Sequence, residues 1–145
     1  MFKRILVPTD GSAISASAVD HAFAFAKEIG AHVVVITVTE PFHVFALDAE
    51  QIEETPASFQ FEVHRRAGLL LSDAQNKADA RGVPCRTMQS ESENPHQAII
   101  EAADDCDCDL IIMASHGRKG VSALLIGSVT MKVLTHSKLP VLVYR

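Results

Sequence analysis

His32-Val33-Val34-Val35-Ile36-Thr37-Val38 decides the fold. The run is continuous and β-branched and lacks the polar alternation of a half-solvated strand. It therefore predicts a central strand of a parallel sheet, buried on both faces. Glu40-Pro41 closes it. On its N-terminal side, small and apolar residues recur from Ala13 through Ala18, Val19, Ala22, Phe23 and Ala26 to Ile29. That is a helical stripe, which Ser12 can cap and Gly30 stops. Earlier still, Ile5-Leu6-Val7 is a short apolar run ended by Pro8-Thr9-Asp10-Gly11, a buried strand followed by a turn. On the C-terminal side the same alternation continues. A long helix is predicted from about Ser58 to Arg81, ending at Gly82. Val83-Pro84-Cys85-Arg86-Thr87-Met88 is a weaker strand, placed near an edge because Pro84 removes a ladder donor. Asn94, as N-cap, and Pro95, in the first turn, open a helix whose apolar face is Ala98, Ile99, Ala102 and Ala103. Asp109-Leu110-Ile111-Ile112-Met113-Ala114 is a second central strand. A helix near Ser128 to Thr135 and the strand Leu139-Pro140-Val141-Leu142-Val143-Tyr144 complete the chain. Strand and helix alternate throughout, which predicts an open α/β parallel sheet with helices on both faces, within a single domain over residues 1–145.

Composition narrows the function. The 145 residues carry 13 Lys+Arg against 18 Asp+Glu, a net charge of −5. The basic residues are scattered, so the clustered cationic face that nucleic acid requires is not expected. The charge-free stretch from Val121 to Met131 holds Gly, Ser and Thr and is far short of the roughly 20 apolar residues of a membrane span. Pro8 and Asp10 interrupt the N-terminus before a signal-peptide core can form. Three cysteines, with Cys106 and Cys108 two apart and Cys85 remote, do not suggest a disulfide framework. The expectation is a reduced, cytoplasmic domain with no membrane or nucleic-acid partner. Cys106-Asp107-Cys108 lacks the second half of a metal motif, and packing before the strand is the better reading.

Ligands of open α/β sheets bind at the carboxyl ends of the strands, near the switch in strand order. Three segments fall there: Pro8-Thr9-Asp10-Gly11-Ser12, Thr37-Val38-Thr39, and the stretch from Met113 to Thr130. In the last, Gly117 and Gly127 allow close backbone approach, and Gly127-Ser128 lies where a helix begins, a place that favours an anion. The Ser128 and Thr130 hydroxyls can add hydrogen bonds. The pattern is neither a Walker loop nor a GxGxxG fingerprint. It leaves two readings open: a phosphate site, or a Gly-rich turn in which Ser128 is only a cap. Asp10 has the same two readings, ligand contact or turn-former. His116 has no nucleophile paired with it in sequence, and a loop-ordering hydrogen bond is expected of it. His32, His64 and His136 lack ligand spacing. The aromatic residues between Phe42 and Phe61 fit either a lid or partner surface, or core filler for a long connection.

The chain resembles the universal stress protein family over essentially its full length. Four segments carry the resemblance. They are the opening Ile5-Leu6-Val7-Pro8-Thr9-Asp10-Gly11-Ser12, the segment Asp109-Leu110-Ile111-Ile112-Met113-Ala114-Ser115-His116-Gly117-Arg118, the helix opening Gly127-Ser128-Val129-Thr130, and the closing strand Leu139-Pro140-Val141-Leu142-Val143. The ATP-binding branch of the family has a Gly, two residues, Gly, nine residues, Gly, then Ser or Thr. Here Gly117, Gly127 and Ser128 fit that pattern, while Ala114 replaces the first glycine.

The resemblance implies an adenine-nucleotide-hydrolase-like sheet in strand order 3-2-1-4-5. It implies ATP, or ADP or AMP, as ligand, with Mg²⁺ screening the phosphates. Asp10 would face the ribose or adenine, Val38 the adenine, and Pro8 and Thr9 the nucleoside. Met113, Ala114, Gly117, Gly127, Ser128 and Val129 would surround the ribose and phosphates, with Thr130 beside them. Arg118 and Lys119 would add charge-assisted contacts. It further implies a homodimer through the last strand, where Val141 and Val143 would otherwise be exposed, and a stress-response sensor or regulator with a further protein partner and at most slow hydrolysis. The alternatives are a dimeric adaptor that binds no nucleotide, favoured by Ala114, and a phosphohydrolase or ligase, for which no second motif is present. Gly127→Val is expected to clash with phosphate and leave the fold intact.

Overall fold

The computed structural model describes residues 1–42, 56–117 and 125–145. The elements run β1 (Arg4–Pro8), α1 (Ala13–Ile29), β2 (His32–Thr39), α2 (Pro56–Arg81), β3 (Cys85–Glu91), α3 (Pro95–Asp105), β4 (Leu110–Ala114), α4 (Ser128–His136) and β5 (Val141–Tyr144). The strands form one sheet in the order β3-β2-β1-β4-β5, with every neighbouring pair parallel. This is the expected architecture.

The central strands show why their sequences are unbroken apolar runs. Ile5, Val7, Val33, Val35, Leu110 and Ile112 pack on one face against Phe23 and Ala22 of α1 and Leu71 and Ala74 of α2. The residues between them, Leu6, Val34, Ile36, Ile111 and Met113, pack on the other face against Ile99 and Ala103 of α3 and Val133 of α4. Side chains alternate in direction, and both directions lead into a core.

The start of each helix is set locally. Ser12 caps α1, its side chain accepting the Ser15 N–H, and Gly30 ends the helix in the left-handed conformation at φ 70°. α2 begins at Pro56, just before the expected Ser58. Asn94 does precede α3, but its side chain makes no capping hydrogen bond. Its backbone, at φ −118° and ψ 83°, departs from the extended geometry that aims a cap side chain at the first turn. α4 is capped by Gly127, not by Ser128, which is its first helical residue.

Two strand boundaries differ from the sequence expectation. β3 starts at Cys85 because Pro84 lies just outside it, where its carbonyl accepts the Val33 N–H at 2.9 Å. β3 is an edge strand, as expected. β5 starts at Val141, with the Pro140 carbonyl accepting from Ile111 at 3.0 Å. Val141 and Val143 on this second edge are half-buried, and Val141 packs against the core on the α3/α4 side. The exposed apolar residue of β5 is Leu142, at 43%. The expectation that Val141 and Val143 lie open is therefore corrected: they share a face with Met113, whereas Leu142 projects to the other side.

At the amino ends of the strands, the Asp109 carboxylate accepts the Lys3 and Arg4 amides at 2.8 and 3.0 Å, and Arg4 Nη1 donates to the Cys106 carbonyl at 2.7 Å. Cys106 and Cys108 are buried beside this clasp, as packing residues. Burial pushes the Cys108 thiol up to about 12. Residues 43–55, most of the Phe42–Phe61 stretch, lie outside the described residues. Within the rest of it, the Phe42 and Phe59 rings meet edge to face at 5.1 Å and Phe61 is exposed. No helix of the described residues is long and apolar enough to cross a membrane.

Candidate functional site

The strand order reverses at β1. The chain leaves β1 through α1 toward β2 on one side, while β4 on the other side comes from α3 on the opposite face. Such a reversal leaves a crevice outside the carboxyl ends of β1 and β4. Residues 9–12, 115–117 and 127–130 meet there.

The β1 side is a tight turn. The Thr9 N–H donates to the Ile36 carbonyl at 2.8 Å, tying the exit of β1 to β2. Asp10 Oδ1 accepts the Ser12 N–H at 3.0 Å, and Gly11 takes φ 80°. Asp10 is thus a turn-former, and its carboxylate also reaches across the crevice. Gly117, from the β4 side, lies so close that a Cβ built on it would overlap Asp10 Oδ2. Beneath the turn, the buried Ser15 of α1 contacts Thr9 Oγ1 at 3.1 Å and accepts from the Asp10 N–H at 3.4 Å.

The β4 side is pinned to α4. The Gly127 N–H donates to the Ser115 carbonyl at 2.6 Å, and Thr130 Oγ1 donates to the Ala114 carbonyl at 2.8 Å. A Cβ at Gly127 would stand 3.1 Å from His116 Cα. A side chain at Gly117 would have to displace the Asp10 carboxylate, and one at Gly127 would press on the backbone of His116. Because the cap of α4 is glycine, the cap residue has no side chain to close its first turn. The amides of Ser128, Val129 and Thr130 are those a helix leaves without an intrahelical acceptor. They form the positive end of the helix, at the crevice.

The residues expected at the site divide accordingly. Thr9 is buried, and Pro8, Asp10, Gly117 and Gly127 are half-buried around the crevice, with Ser128 exposed at its rim. Val38, at the end of β2, is half-buried on the α3/α4 side. Met113 carries its side chain into the core, and Val129 packs against the same cluster. Only their backbones can serve the crevice. The Thr130 hydroxyl proton points inward to Ala114, so Thr130 holds the helix in place. Ala114 is an ordinary extended residue of β4, paired with Tyr144, and no left-handed backbone is needed there. His116 Nδ1 lies 3.1 Å from Ser115 Oγ, the loop-ordering bond expected of it. Arg118 and Lys119 lie outside the described residues. Ser15 was not legible as a site residue: within an Ala-rich helical stripe it reads as one more small filler.

The sequence profile of the universal stress protein family matches residues 1–145. The chain belongs to the universal stress protein family. It is 34% identical over 145 residues to the universal stress protein MJ0531 of Methanocaldococcus jannaschii, covering all of this chain and 83% of that one. To the universal stress protein YxiE of Bacillus subtilis it is 34% identical over 149 residues, covering the whole of both. Among solved structures, that of MJ0577 of Methanocaldococcus jannaschii is 29% identical, with a TM-score of 0.81 over 99% of this chain and 95% of that one. A universal stress protein crystallised in complex with cAMP is 26% identical, with a TM-score of 0.72 over 99% of this chain and 97% of that one.

Proposed function

We propose that this universal stress protein binds an adenine nucleotide in the crevice between β1 and β4, with ATP and Mg²⁺ as the principal ligand and ADP or AMP held through the same adenosine contacts. The observation that carries the reading is the α4 N-terminus, which has no side-chain cap and is pinned against Ser115 and His116, the residues that lead into Gly117 and its close approach to Asp10. The similar protein that binds cAMP supports the choice of an adenine nucleotide.

The residues present fit such a ligand by charge. The Asp10 carboxylate repels phosphate and attracts the hydroxyls of a sugar or the amine of adenine. The α4 amides and helix dipole attract phosphate. The two ends of a nucleotide thus find opposite partners across one crevice. Pro8, Thr9 and Val38 would line the nucleoside. The backbones of Met113, Ala114, Gly117, Gly127 and Val129, with the Ser128 hydroxyl, would line the ribose and phosphates. Thr130 would fix α4, and Arg118 would meet the phosphates from the segment that follows Gly117. Among the described residues no group of three or more His, Cys, Asp or Glu side chains could hold a metal. Mg²⁺ would therefore be held mainly by phosphate oxygens and water, as is usual for this ion.

On this reading the protein is a single-domain, cytoplasmic regulator of stress response. Its state follows nucleotide occupancy, hydrolysis is slow and incidental, and it pairs as a homodimer along β5, with Leu142 at the edge and a further protein partner downstream. The adaptor reading rested on Ala114. In an extended strand residue, the exchange of glycine for alanine brings no conformational penalty.

Mass spectrometry of small molecules released by denaturing freshly purified protein tests the proposal. Stoichiometric ATP, ADP or AMP is expected. An empty protein that also fails to bind added ATP with Mg²⁺ in calorimetry overturns it.

A further inference from the structure

Ser15 occupies the buried junction between α1 and the β1 turn, and the donor and acceptor capacity of its hydroxyl is fully used. Its single proton goes to the Ser12 carbonyl at 3.0 Å, because a carbonyl can only accept. At the 3.1 Å contact with Thr9 Oγ1, the Thr9 hydroxyl must therefore be the donor. The Asp10 N–H is the second donor to Ser15 Oγ, at 3.4 Å. One oxygen thus takes hydrogen bonds from the side chain of Thr9 and the backbone of Asp10, while its own proton ties both to the first turn of α1. Ser15 and Thr9 are 4% and 5% exposed, so water does not substitute for either partner.

The consequence reaches Asp10. Its carboxylate accepts the Ser12 N–H at 3.0 Å through Oδ1, and its Oδ2 faces Gly117. Both relationships depend on where the backbone of residues 10–12 sits, and Ser15 holds that backbone from below. We propose that Ser15 is a positioning residue of the site: it never touches the ligand, and it sets the direction in which Asp10 presents its carboxylate to the nucleotide hydroxyls or amine. The inference rests on the nucleotide reading for its function, while the link between Ser15 and Asp10 stands on the protein's own geometry.

The test uses the full chain and three variants: Ser15→Ala, Thr9→Val, and the two combined. The first readout is the titration of the Asp10 carboxyl carbon by NMR, which needs no ligand. In Ser15→Ala the turn loosens, the Ser12 N–H is lost to Oδ1, and the Asp10 titration is expected to move upward. The second readout is affinity for ATP with Mg²⁺, expected to fall about tenfold in Ser15→Ala. The third is stability to urea. Ser15→Ala leaves the Thr9 hydroxyl buried without its acceptor. The double variant removes that orphan and should recover stability. Thr9→Val alone gives the baseline, because it removes the Gly11 N–H contact to Thr9 Oγ1 at 3.5 Å. If Ser15 positions Asp10, the double variant recovers stability but keeps an Asp10 titration raised above that baseline. If Ser15 only satisfies Thr9, the double variant recovers stability and titrates as Thr9→Val does, and the proposal is overturned. An Asp10 titration unchanged in Ser15→Ala also overturns it. A wild-type protein that binds no ATP removes the nucleotide reading, and the titration arm still decides the link between Ser15 and Asp10.

Discussion

Gly117 and Asp10 are fitted to each other across the switch point: a methyl group on Gly117 would overlap Asp10 Oδ2, with Asp10 Cγ at 3.4 Å. The two residues follow the ends of different strands, β1 and β4, more than a hundred positions apart. The absence of a side chain at Gly117 leaves the Asp10 carboxylate its place.

Gly117→Ala should therefore act through Asp10. The carboxylate is anchored by the Ser12 N–H at 3.0 Å, and the added methyl must push it off that anchor. Losing a hydrogen bond to a charged group costs the fold about 1.5–3 kcal/mol, and the displaced carboxylate no longer meets the nucleotide, so affinity for ATP with Mg²⁺ should fall about tenfold. The same bond belongs to the free protein and is part-buried, so the melting temperature should fall with the affinity. Calorimetric titration alongside a thermal melt separates the two effects. An unchanged affinity would place the Asp10–Gly117 contact outside the binding site.

Gly127→Val is expected to press on the protein as well as on the phosphates. The Cβ would stand 3.1 Å from His116 Cα and 3.4 Å from the Ser115 carbonyl oxygen, while the Gly127 N–H already bonds that oxygen at 2.6 Å. The substitution presses first on the exit of β4. A loss of about 1–3 kcal/mol of stability is expected, as for overpacking elsewhere, together with lost binding. Urea unfolding measures it. A variant of wild-type stability that still fails to bind would return the effect to the phosphates.

The elements were legible because buried parallel strands write themselves as continuous β-branched runs, and His32-Val33-Val34-Val35-Ile36 sits between Gly30 and Pro41. The order of the strands came from the family resemblance, since periodicity carries no pairing information. What escaped were facts decided by direction. Val141-Leu142-Val143 is apolar at every position, so nothing in it reveals which residues face the core; Leu142 proved to be the exposed one. Thr130 and Ser128 both offer hydroxyls at the opening of α4. The backbone turns Thr130 inward to the Ala114 carbonyl and leaves Ser128 exposed. Ser15 needed Thr9, six residues earlier and outside the helix, before its role could be seen.

Ser12 and Asn94 make a paired prediction about caps. Ser12 Oγ accepts the Ser15 N–H at 3.3 Å, whereas the Asn94 side chain makes no capping bond. Ser12→Ala should cost about 1 kcal/mol and Asn94→Ala only a few tenths, although both residue types are good N-caps. Chemical denaturation of the two variants compares them directly. Equal losses would mean that Asn94 caps α3 in solution.

His96, near the start of α3, faces His136 near the end of α4, with ring centroids 5.6 Å apart. Burial holds the His96 imidazole below its ordinary value of 6.5, and Lys132 and His136 on α4 add to the effect by charge. The sign follows from linkage. Below 6.5 the unfolded chain takes up a proton at this position while the folded chain still resists it, so the unfolded state gains. The His96 contribution to stability is complete above 6.5, falls as the pH drops from there to the folded-state value, and is level below that. His96→Gln removes the titrating group and keeps a polar side chain of similar reach. Its stability should decline less than the wild type's between about pH 7 and about pH 5, with the two curves parallel above that range. Urea midpoints across this interval measure the difference. Curves that stay parallel throughout would assign the acid slope to other groups and leave the α3/α4 histidine pair without a part in it.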